Sequence, residues 1–382
     1  MIGRVPARRC SRGTTAFGAT LALGCAFVLA EPAAARDGPE PCPPTQAPPA
    51  GDDTGPLEAQ YFGTSTVLLR DRGTAVLVDG FFTRPPVTRW TRVAPDPAVI
   101  AKTLDRAGLA TARLAAVFVT HAHYDHALDA PSIAWKTGAD FVGSESSGLV
   151  ARGADLPGGR IRRSGHCTVH PYSPFSVTAV ASRHGRPFFF RGRVRRPLVP
   201  PAPVFAWREG GSLAFHFAHP DGNVLVHPGT NYVPGVYRGL RADVVFLSIA
   251  FLGIQRRGFA ERYWCEVVRT TQARLVVPIH WDSFTQPITE ELRPLLPREF
   301  ARSRAIVEEF GKRDDVAIRW MRPFEPALDL RAAIAGVPIP PPLETGAGCS
   351  SEGPSARSAR TGSRGSRHAP PRFRESRRKA RG

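Results

Sequence analysis

Four side chains that can bind a transition metal lie within six consecutive residues. The stretch THAHYDH contains His121, His123, Asp125 and His126. In an extended segment, residues two apart point to the same side, so His121 and His123 would offer both imidazoles to one ion. Neutral imidazoles and carboxylates are standard zinc ligands. The spacing therefore predicts a metal site, and the alternative is a polar loop with histidines on the surface.

Each group of candidate ligands follows an apolar run that is typical of a buried strand. LAAVFVT leads into the cluster, SVTAVASR leads to His184, and ARLVVPI leads to His280. Histidines at the ends of three predicted strands favour the metal site over the polar loop.

Other stretches predict the elements that surround these strands. Apolar runs at 66–69 and 75–78 flank RDRG and predict a hairpin. SLAFHFAHPDGNVLVH predicts a second hairpin, with Asp221 and Gly222 at its turn. DPAVIAKTLDRAGL and ERYWCEVVRTTQ have patterns typical of helices. Layered sheets covered by helices are the natural packing for this order of elements, so we predict an α/β fold.

Positive charge is concentrated at the two ends of the 382-residue chain. The formal net charge is +18, of which residues 1–35 contribute +3 and residues 351–382 contribute +8. The first segment has the order of basic residues, apolar stretch and small residues that is typical of an export signal cleaved after about Ala35. An uncleaved anchor is the alternative. We therefore predict export to the periplasm or the extracellular space.

Composition also predicts how the rest of the chain is organised. The region from about residue 337 onward is rich in Pro, Gly, Ser and Arg and has little to bury, which predicts disorder. The predicted organisation is a signal peptide at 1–35, a Pro/Ala-rich linker at 36–56, a folded domain at 57–336 and a basic disordered tail at 337–382.

Four cysteines follow the predicted signal: Cys42, Cys167, Cys265 and Cys349. An oxidising compartment permits disulfides between them, and four cysteines allow three complete pairings. Cys42 and Cys349 both lie in Pro/Gly-rich segments, so one candidate bond joins these two. Their spacing does not predict a metal site.

The chain resembles the metallo-β-lactamase superfamily over about residues 57–325. The resemblance rests on THAHYDH, on SRHG with His184, on the hairpin that leads into HPGTNY, on ADVVFLSIA, and on PIHWDSF with His280. PIHW and the overall layout are most similar to the branch that holds lactonase-like and N-acyl-phospholipid phospholipase D-like enzymes. The resemblance implies a four-layer αβ/βα sandwich with metal ions at one edge, between the two sheets.

The resemblance also implies a cofactor, namely one or two zinc ions, with manganese or iron as alternatives. It implies six ligands: His121, His123 and His184 for a first ion, and Asp125, His126 and His280 for a second. Asp79 would accept a hydrogen bond from a metal-binding histidine, an arrangement that orients such ligands.

The sequence departs from the family at the aspartate that bridges the two ions. Aligned without a gap, HPGTNY places Gly229 at that position, with Thr230 and Tyr232 matching the family's Thr and Tyr. Two ions close together repel each other, and a bridging carboxylate offsets part of that repulsion. Either a bridging hydroxide alone holds two ions, or one ion is lost, or His227 contributes as an extra ligand. His227 lies two residues before Gly229 and so on the same face of a regular strand.

The function implied is that of an exported metal-dependent hydrolase, in which metal-bound hydroxide attacks an ester-type bond. The ester is a phosphodiester, a lipid-like ester or a lactone. Asp125 and Thr230 are the candidate catalytic residues that would orient the attacking water. The alternative is a non-catalytic binding or regulatory protein that kept the fold after it lost the bridging carboxylate.

The segment after His184 joins three phenylalanines to four arginines in FFFRGRVRR. One hypothesis is a flap over the active site in which Phe188, Arg195 and Arg196 bind the substrate. The alternative is a strand with core phenylalanines and solvated arginines.

The expected partner is a small-molecule or lipid-like substrate. We expect no specific nucleic acid, because the basic tail contains one aromatic residue and no folded reading surface. Membrane contact through the signal or the basic tail is a further hypothesis.

Overall fold

The computed structural model describes residues 38–51, 54–88, 90–109, 113–186, 189–288, 291–343 and 349. The predicted signal peptide and residues 344–348 and 350–382 of the predicted tail lie outside these residues, so both stay predictions. The predicted disorder from residue 337 is wrong for the described start of the tail, where Arg274 Nε donates to Val337 O at 2.8 Å and Gln272 Nε2 to Pro340 O at 2.9 Å. Within the described part of the chain, no helix has the length and apolar character needed to cross a membrane.

The fold is built from short strands and helices that alternate along the chain. The strands are β1 (Glu58–Tyr61), β2 (Val67–Arg70), β3 (Ala75–Val78), β4 (Arg92–Val93), β5 (Leu114–Val119), β6 (Asp140–Gly143), β7 (Ile161–Arg163), β8 (Val169–Tyr172), β9 (Phe175–Ser182), β10 (Ala202–Pro203), β11 (Ser212–His219), β12 (Gly222–His227), β13 (Val244–Ser248), β14 (Leu275–Ile279), β15 (Ala317–Ile318) and β16 (Leu328–Asp329). The helices are α1 (Pro97–Arg106), α2 (Tyr124–Ala127), α3 (Ala130–Thr137), α4 (Glu145–Gly153), α5 (Arg257–Trp264), α6 (Pro297–Arg313) and α7 (Leu330–Ile334). Helix α5 continues as a π-helical turn, Cys265–Arg269.

Two seven-stranded sheets form the centre of the domain. The first has the order β16-β1-β2-β3-β5-β6-β7, and the second has the order β15-β14-β13-β12-β11-β9-β8. Strands β10 and β4 form a separate two-stranded pair. The antiparallel pairing of β2 with β3 and of β11 with β12 confirms both predicted hairpins.

Side chains of β5 show why four layers form. Val117 and Val119 pack with the buried faces of α1 and α3, whereas Ala116 and Phe118 pack in the core between the two sheets. The Phe118 ring centroid lies 5.1 Å from that of Phe215 in the second sheet. Because successive residues of a strand point to opposite faces, an apolar run buried on both faces must lie between a helix layer and another sheet.

Helices α5 and α6 cover the outer face of the second sheet in the same way. Tyr263 and Trp264 of α5 and Val307 and Phe310 of α6 share an apolar cluster with strands β13 and β14. The order of layers is therefore helix, sheet, sheet, helix, which confirms the predicted α/β fold and its αβ/βα sandwich.

One edge of the sandwich collects the carboxyl ends of strands from both sheets. Strands β3 and β5 are parallel in the first sheet, and β12, β13 and β14 are parallel in the second. Backbone hydrogen bonds join the two sheets here, from Leu213 N to Thr120 O at 2.8 Å and from His280 N to Thr64 O at 2.6 Å. Side chains that follow these strands are thus brought to one place.

Two disulfides join distant parts of the chain, Cys42 to Cys167 and Cys265 to Cys349. The candidate bond between Cys42 and Cys349 is therefore wrong. Cys42 is buried in the cluster beneath the second sheet, and its chain segment bonds the domain through Glu40 O and the His166 ring, 2.8 Å apart. Part of the predicted linker is thus fixed to the domain, which its composition did not reveal.

We predict that the Cys42→Ser/Cys167→Ser variant has a free energy of unfolding lower by about 2–4 kcal/mol, because the bond restricts the unfolded chain. Chemical denaturation measures this difference, and peptide mapping without reductant identifies the pairs. Recovery of a Cys42–Cys349 peptide from the wild-type protein would contradict the arrangement described here.

Candidate metal centre

The ligand-rich stretch begins where strand β5 ends. Asp79 accepts a hydrogen bond from the Thr120 backbone N at 2.8 Å, which fixes the first residue after the strand. His121 follows, and His123 precedes the short helix α2, which carries Asp125 and His126. The turn from extended chain into helix points these side chains into the space between the two sheets.

The first cluster joins His121 and His123 to His184. The Nε2 atom of His121 lies 3.0 Å from Nδ1 of His123. The ring centroid of His184 lies 4.7 Å from that of His123 and 5.1 Å from that of His121. One nitrogen from each ring lies within 4.8 Å of the others, which is the spacing of ligands around one ion.

The second cluster joins Asp125 and His126 to His280. The Nε2 atoms of His126 and His280 are 3.1 Å apart. Oδ2 of Asp125 lies 3.5 Å from Nε2 of His126 and 3.6 Å from Nε2 of His280. The two clusters adjoin, since the ring centroids of His121 and His126 are 3.8 Å apart. The structure thus brings together all six predicted ligands.

The outward-facing nitrogens of three histidines have partners of their own. Nδ1 of His126 lies 2.8 Å from an Asp79 carboxylate oxygen, and Nδ1 of His184 lies 2.8 Å from Gly185 O. Nε2 of His123 lies 3.4 Å from Phe190 O. Each acceptor places the proton on the outer nitrogen and leaves the inner lone pair for an ion.

The chemistry of this donor set fits a transition metal ion. Burial lowers the pKa of His123 to about 3 and that of His280 to about 4, so both rings are neutral at neutral pH. Burial and the nearby His280 also hold the pKa of His126 well below its usual range. Lone pairs of neutral imidazoles that face one another are satisfied by a shared cation. Imidazoles with one carboxylate suit zinc, iron and manganese.

Asp79 connects the second cluster to the first sheet. Its carboxylate accepts hydrogen bonds from Ser65 Oγ at 2.5 Å and from Thr120 Oγ1 at 3.0 Å, in addition to the contact with His126. Burial raises its pKa to about 8. Asp79 thus lies beside the His126 ring, the position expected from the sequence for a residue that orients a metal-binding histidine.

A buried ion pair fixes the loop that carries His280, and sequence reasoning missed it. Arg84 Nη1 donates to Asp282 Oδ2 at 2.7 Å, and the two side chains are 1% and 0% exposed. Asp282 also accepts from Thr64 N at 2.8 Å, while Thr64 O accepts from His280 N. Gly63 makes room for the pair, because a Cβ there would lie 2.0 Å from Arg84 Nη2. The arginine in FFTR and the aspartate in HWDSF gave no signal that they pair.

His227 does not join either cluster. Its Nε2 lies 2.7 Å from Asn231 O and its Nδ1 lies 2.7 Å from the Tyr237 hydroxyl. Nε2–H donates to the carbonyl and Nδ1 accepts from the hydroxyl, so no lone pair remains for a metal ion. This geometry does not support His227 as an extra ligand.

Gly229 lies against the backbone that precedes His184. A Cβ on Gly229 would lie 2.7 Å from Arg183 O and 3.5 Å from the His184 Cα. An aspartate at this position would therefore collide with backbone rather than extend freely between the clusters. The loop is built around the glycine, so the missing bridging carboxylate is a feature of the local backbone as well as of the sequence.

The next residue contributes a hydroxyl to the same cavity. Thr230 Oγ1 lies 3.1 Å from Ser248 Oγ. The two residues meet because Thr230 follows β12 and Ser248 ends β13, and these strands are parallel neighbours. Both side chains are buried and line the cavity. Two hydroxyls that share one hydrogen bond keep one further O–H to donate. Ser248 was not predicted from the sequence, since a serine at the end of an apolar strand carries no motif.

The clusters lie at one side of a cavity of about 310 Å³. Its other walls are mostly apolar: Val87, Tyr124, Phe189, Phe190, Val204, Ala250, Phe251 and Phe284. No lysine or arginine is found among the described residues that line it. Phe188 lies outside the described residues, so its predicted role has no structural test.

Arg195 and Arg196 do not reach this cavity. Both line a separate groove on the surface together with Arg193, Phe205 and Arg208. The hypothesis that Arg195 and Arg196 bind the substrate beside the metal ligands is therefore not supported by their positions.

Comparisons with known proteins identify the family. Residues 60–247 match the family model described as "Metallo-beta-lactamase superfamily". A search of curated protein sequences gave no match.

Several solved structures are similar to the chain. Igni18, a metallo hydrolase from Ignicoccus hospitalis KIN4/I, is 17% identical over 71% of this chain and 97% of its own, with a TM-score of 0.46. The metallo-beta-lactamase fold protein YhfI from Bacillus subtilis is 13% identical over 70% of this chain and 97% of its own, with a TM-score of 0.43. CmlA, a diiron beta-hydroxylase from Streptomyces venezuelae, is 14% identical over 74% of this chain and 55% of its own, with a TM-score of 0.46. Identities this low say nothing of the substrate.

We predict that Gly229→Ala and Gly229→Asp each lower the free energy of unfolding by about 1–3 kcal/mol, because either Cβ meets Arg183 O. Neither variant should bind more metal than the wild-type protein. Gly159→Ala is the matched control, since nothing lies within 4 Å of its added Cβ. Chemical denaturation measures the stability of each variant, and elemental analysis measures its metal content. A gain of one ion per chain in Gly229→Asp alone would show that the loop accepts a carboxylate.

We also predict that Arg84→Met and Asp282→Asn each destabilise the fold by about 3–5 kcal/mol, because each leaves a buried partner unpaired. Each variant should also lose metal affinity, since the His280 loop is no longer fixed. Arg304→Met is the control, because the exposed Arg304–Glu308 pair contributes at most about 1 kcal/mol. Unchanged metal affinity in a variant that remains folded would contradict the role assigned to the pair.

Proposed function

Because the chain belongs to the metallo-beta-lactamase superfamily, we propose that it is a metal-dependent hydrolase that cleaves an ester-type bond in an uncharged, largely apolar substrate. The observation that carries the proposal is the pair of three-ligand clusters at one side of a cavity whose other walls are apolar. A bound metal ion would supply water activated near neutral pH and would polarise the bond under attack.

The cavity walls favour a neutral ester or lactone over a phosphodiester. Metal ions at the clusters would offset the charge of a phosphate that they bind, but any further anionic group that leaves water needs a cationic partner from the protein. None of the described lining residues is a lysine or arginine, and the aromatic rings of Phe189, Phe190, Phe251 and Phe284 occupy the walls instead. Phenyl walls offer an apolar acyl or alkyl chain a favourable surface. Of the ester types expected from the sequence, the lactone and the lipid-like ester therefore suit the cavity best.

Polar groups near the clusters would orient the substrate. Thr230 and Ser248 keep one hydroxyl proton for an acceptor in the cavity, and a carbonyl or ring oxygen of the substrate is an acceptor of this kind. Asp125 also lines the cavity, next to His280. We propose that Thr230 and Ser248 position the substrate and that Asp125 serves as a ligand.

We further propose that the protein is exported. Both disulfides lie in the described part of the chain, and such bonds persist in an oxidising compartment. The arginines and apolar stretch at the beginning of the sequence are in accord with this proposal.

We expect the protein to contain tightly bound metal and to hydrolyse neutral aryl esters or lactones at least about 10-fold better, in kcat/KM, than bis(p-nitrophenyl) phosphate. Removal of the metal by chelation should abolish turnover, and zinc, manganese or iron should restore it. His121→Ala should lower kcat/KM by at least about 100-fold. His170→Gln, which alters a histidine bonded to Ser164 outside the clusters, should leave turnover unchanged.

The outcomes separate the two candidate functions. Stoichiometric metal with no turnover of esters, lactones, thioesters or phosphodiesters would favour the non-catalytic binding protein. A preference for the phosphodiester would overturn the assignment of a neutral substrate while leaving the hydrolase intact.

A further inference from the structure

Residues 189–208 form an arm that has two sides with different chemistry. On the inner side, Phe189, Phe190 and Val204 line the metal-bearing cavity. On the outer side, the segment from Gly192 to Arg208 lines a separate surface groove of about 580 Å³. Adjacent residues Val204 and Phe205 thus contribute to opposite sides. The arm forms the wall between the cavity and this part of the surface.

The arm packs against the outer layer of the first sheet, where its residues Val194, Ala202, Val204 and Trp207 join the apolar cluster. Its backbone bonds include Leu198 N to Leu149 O at 3.2 Å and Gly210 N to Gly192 O at 2.8 Å. Strand β10 of the arm pairs with β4, where Ala202 faces Val93. These contacts give the arm a defined conformation, so its exposed side chains project from a fixed backbone.

Several large apolar side chains project from the arm and from the β4 segment beside it. Val199 is 65% exposed, Phe189 is 55% exposed and Phe205 is 43% exposed. Trp90, two residues before β4, is 72% exposed. Thr88 in the same segment lines the cavity. Because β4 pairs with β10 of the arm, the Trp90 segment lies beside the arm, and both contribute residues that line the cavity.

Arginines lie between these apolar side chains. Arg193, Arg195, Arg196 and Arg208 share the groove with Phe205. Among the residues that the structure describes, no carboxylate pairs with Arg193, Arg195 or Arg196. Their guanidinium groups are exposed and available to an anionic partner.

We propose that the arm and the Trp90 segment form a docking surface for an anionic phospholipid bilayer. Aromatic and aliphatic side chains that project from a surface enter the boundary between headgroups and acyl chains. Arginines beside them remain at the headgroup level and contact lipid phosphates. A surface that binds a bilayer needs exposed apolar side chains with basic side chains beside them, and this surface has both. Because its charged side chains are arginines, it complements anionic rather than neutral headgroups.

A nucleic acid suits this surface less well. Trp90, Phe189 and Phe205 offer rings on which bases could stack, but Val199, the second most exposed of the four, offers none. In a nuclease the polyanionic strand would also have to reach the metal ligands, and no described residue that lines the cavity is a lysine or arginine that could guide it there. The arginines instead lie on the outer side of the arm.

Docking at this surface would place the mouth of an apolar cavity beside the bilayer. Phe189 belongs to both, because it lines the cavity and is more than half exposed. Docking rests on the arm and the Trp90 segment and does not require the proposed function to hold. It extends the proposed function by giving an apolar substrate a route from the bilayer to the cavity.

The test is co-sedimentation of the full-length protein with two kinds of vesicle. One contains phosphatidylcholine alone and the other contains phosphatidylcholine with phosphatidylglycerol. We expect binding to the anionic vesicles to be at least about 10-fold tighter. The Arg193→Gln/Arg195→Gln/Arg196→Gln variant should lose at least about 10-fold of that affinity. Val199→Ser/Phe205→Ser should lose the part of the binding that persists at high salt, because apolar insertion is not screened.

The matched control removes the same charge from another face. Arg298 and Arg302 lie on α6, which covers the second sheet, and Arg319 follows β15 at the end of that sheet. Arg298→Gln/Arg302→Gln/Arg319→Gln should bind vesicles as the wild-type protein does. If it loses affinity as much as the arm variant, binding follows net charge and the proposal fails.

Two further outcomes would overturn the proposal. Equal binding of the arm variant and the wild-type protein would mean that another part of the chain, such as the basic tail, makes the contact. The protein could instead bind an oligonucleotide in a salt-sensitive way and not bind vesicles. If the arm substitutions abolished that oligonucleotide binding, the arm would be a nucleic-acid surface. A metal content equal to that of the wild-type protein shows that the fold of a variant is intact. If the protein binds vesicles but hydrolyses no ester, the proposed function fails and the docking proposal stands.

Discussion

The structure depends on gathering six candidate metal-ligand side chains, most of them buried, where the two sheets meet. Nitrogens of His121 and His123, both after β5, are 3.0 Å apart, and those of His126 and His280, after β5 and β14, are 3.1 Å apart, with few other groups to satisfy them. Such a cluster is unfavourable in a protein interior unless a cation occupies it or each lone pair finds a proton. The surrounding backbone therefore has to hold the rings in place against their own tendency to separate and hydrate.

The two clusters are held by different means. In the second cluster, buried side chains hold the candidate ligands. Asp79 contacts His126, and the Arg84–Asp282 ion pair fixes the loop that carries His280. In the first, backbone carbonyls of Gly185 and Phe190 orient His184 and His123. Only the second cluster contains a carboxylate ligand, so the two would attract a dication unequally. Because position 229 is a glycine, the described loop supplies no carboxylate that would make the attraction of the two clusters for a dication more equal.

The sequence revealed the ligands and the order of elements but not what supports them. Six ligands followed from a motif and from the family resemblance, because metal-binding residue types are rare and their spacing is constrained. Arg84 and Asp282 are 198 residues apart, and nothing local marks two common residues as partners. The disulfide partners were missed for the same reason, since pairing is set by the folded positions of Cys42 and Cys167.

Arg195 and Arg196 show the opposite error, in which a local pattern suggested the wrong partner. The alternation of phenylalanine and arginine in FFFRGRVRR is compatible with a substrate flap, but it does not say which side of the chain faces the metal ligands. In the folded arm, Phe190 lines the cavity, Phe189 lines it while more than half exposed, and the arginines line the outer groove. The separation follows from desolvation, because a guanidinium in the apolar cavity would lose water without a partner. The same physics that keeps the cavity suited to neutral substrates leaves the arginines to meet an anionic surface outside it.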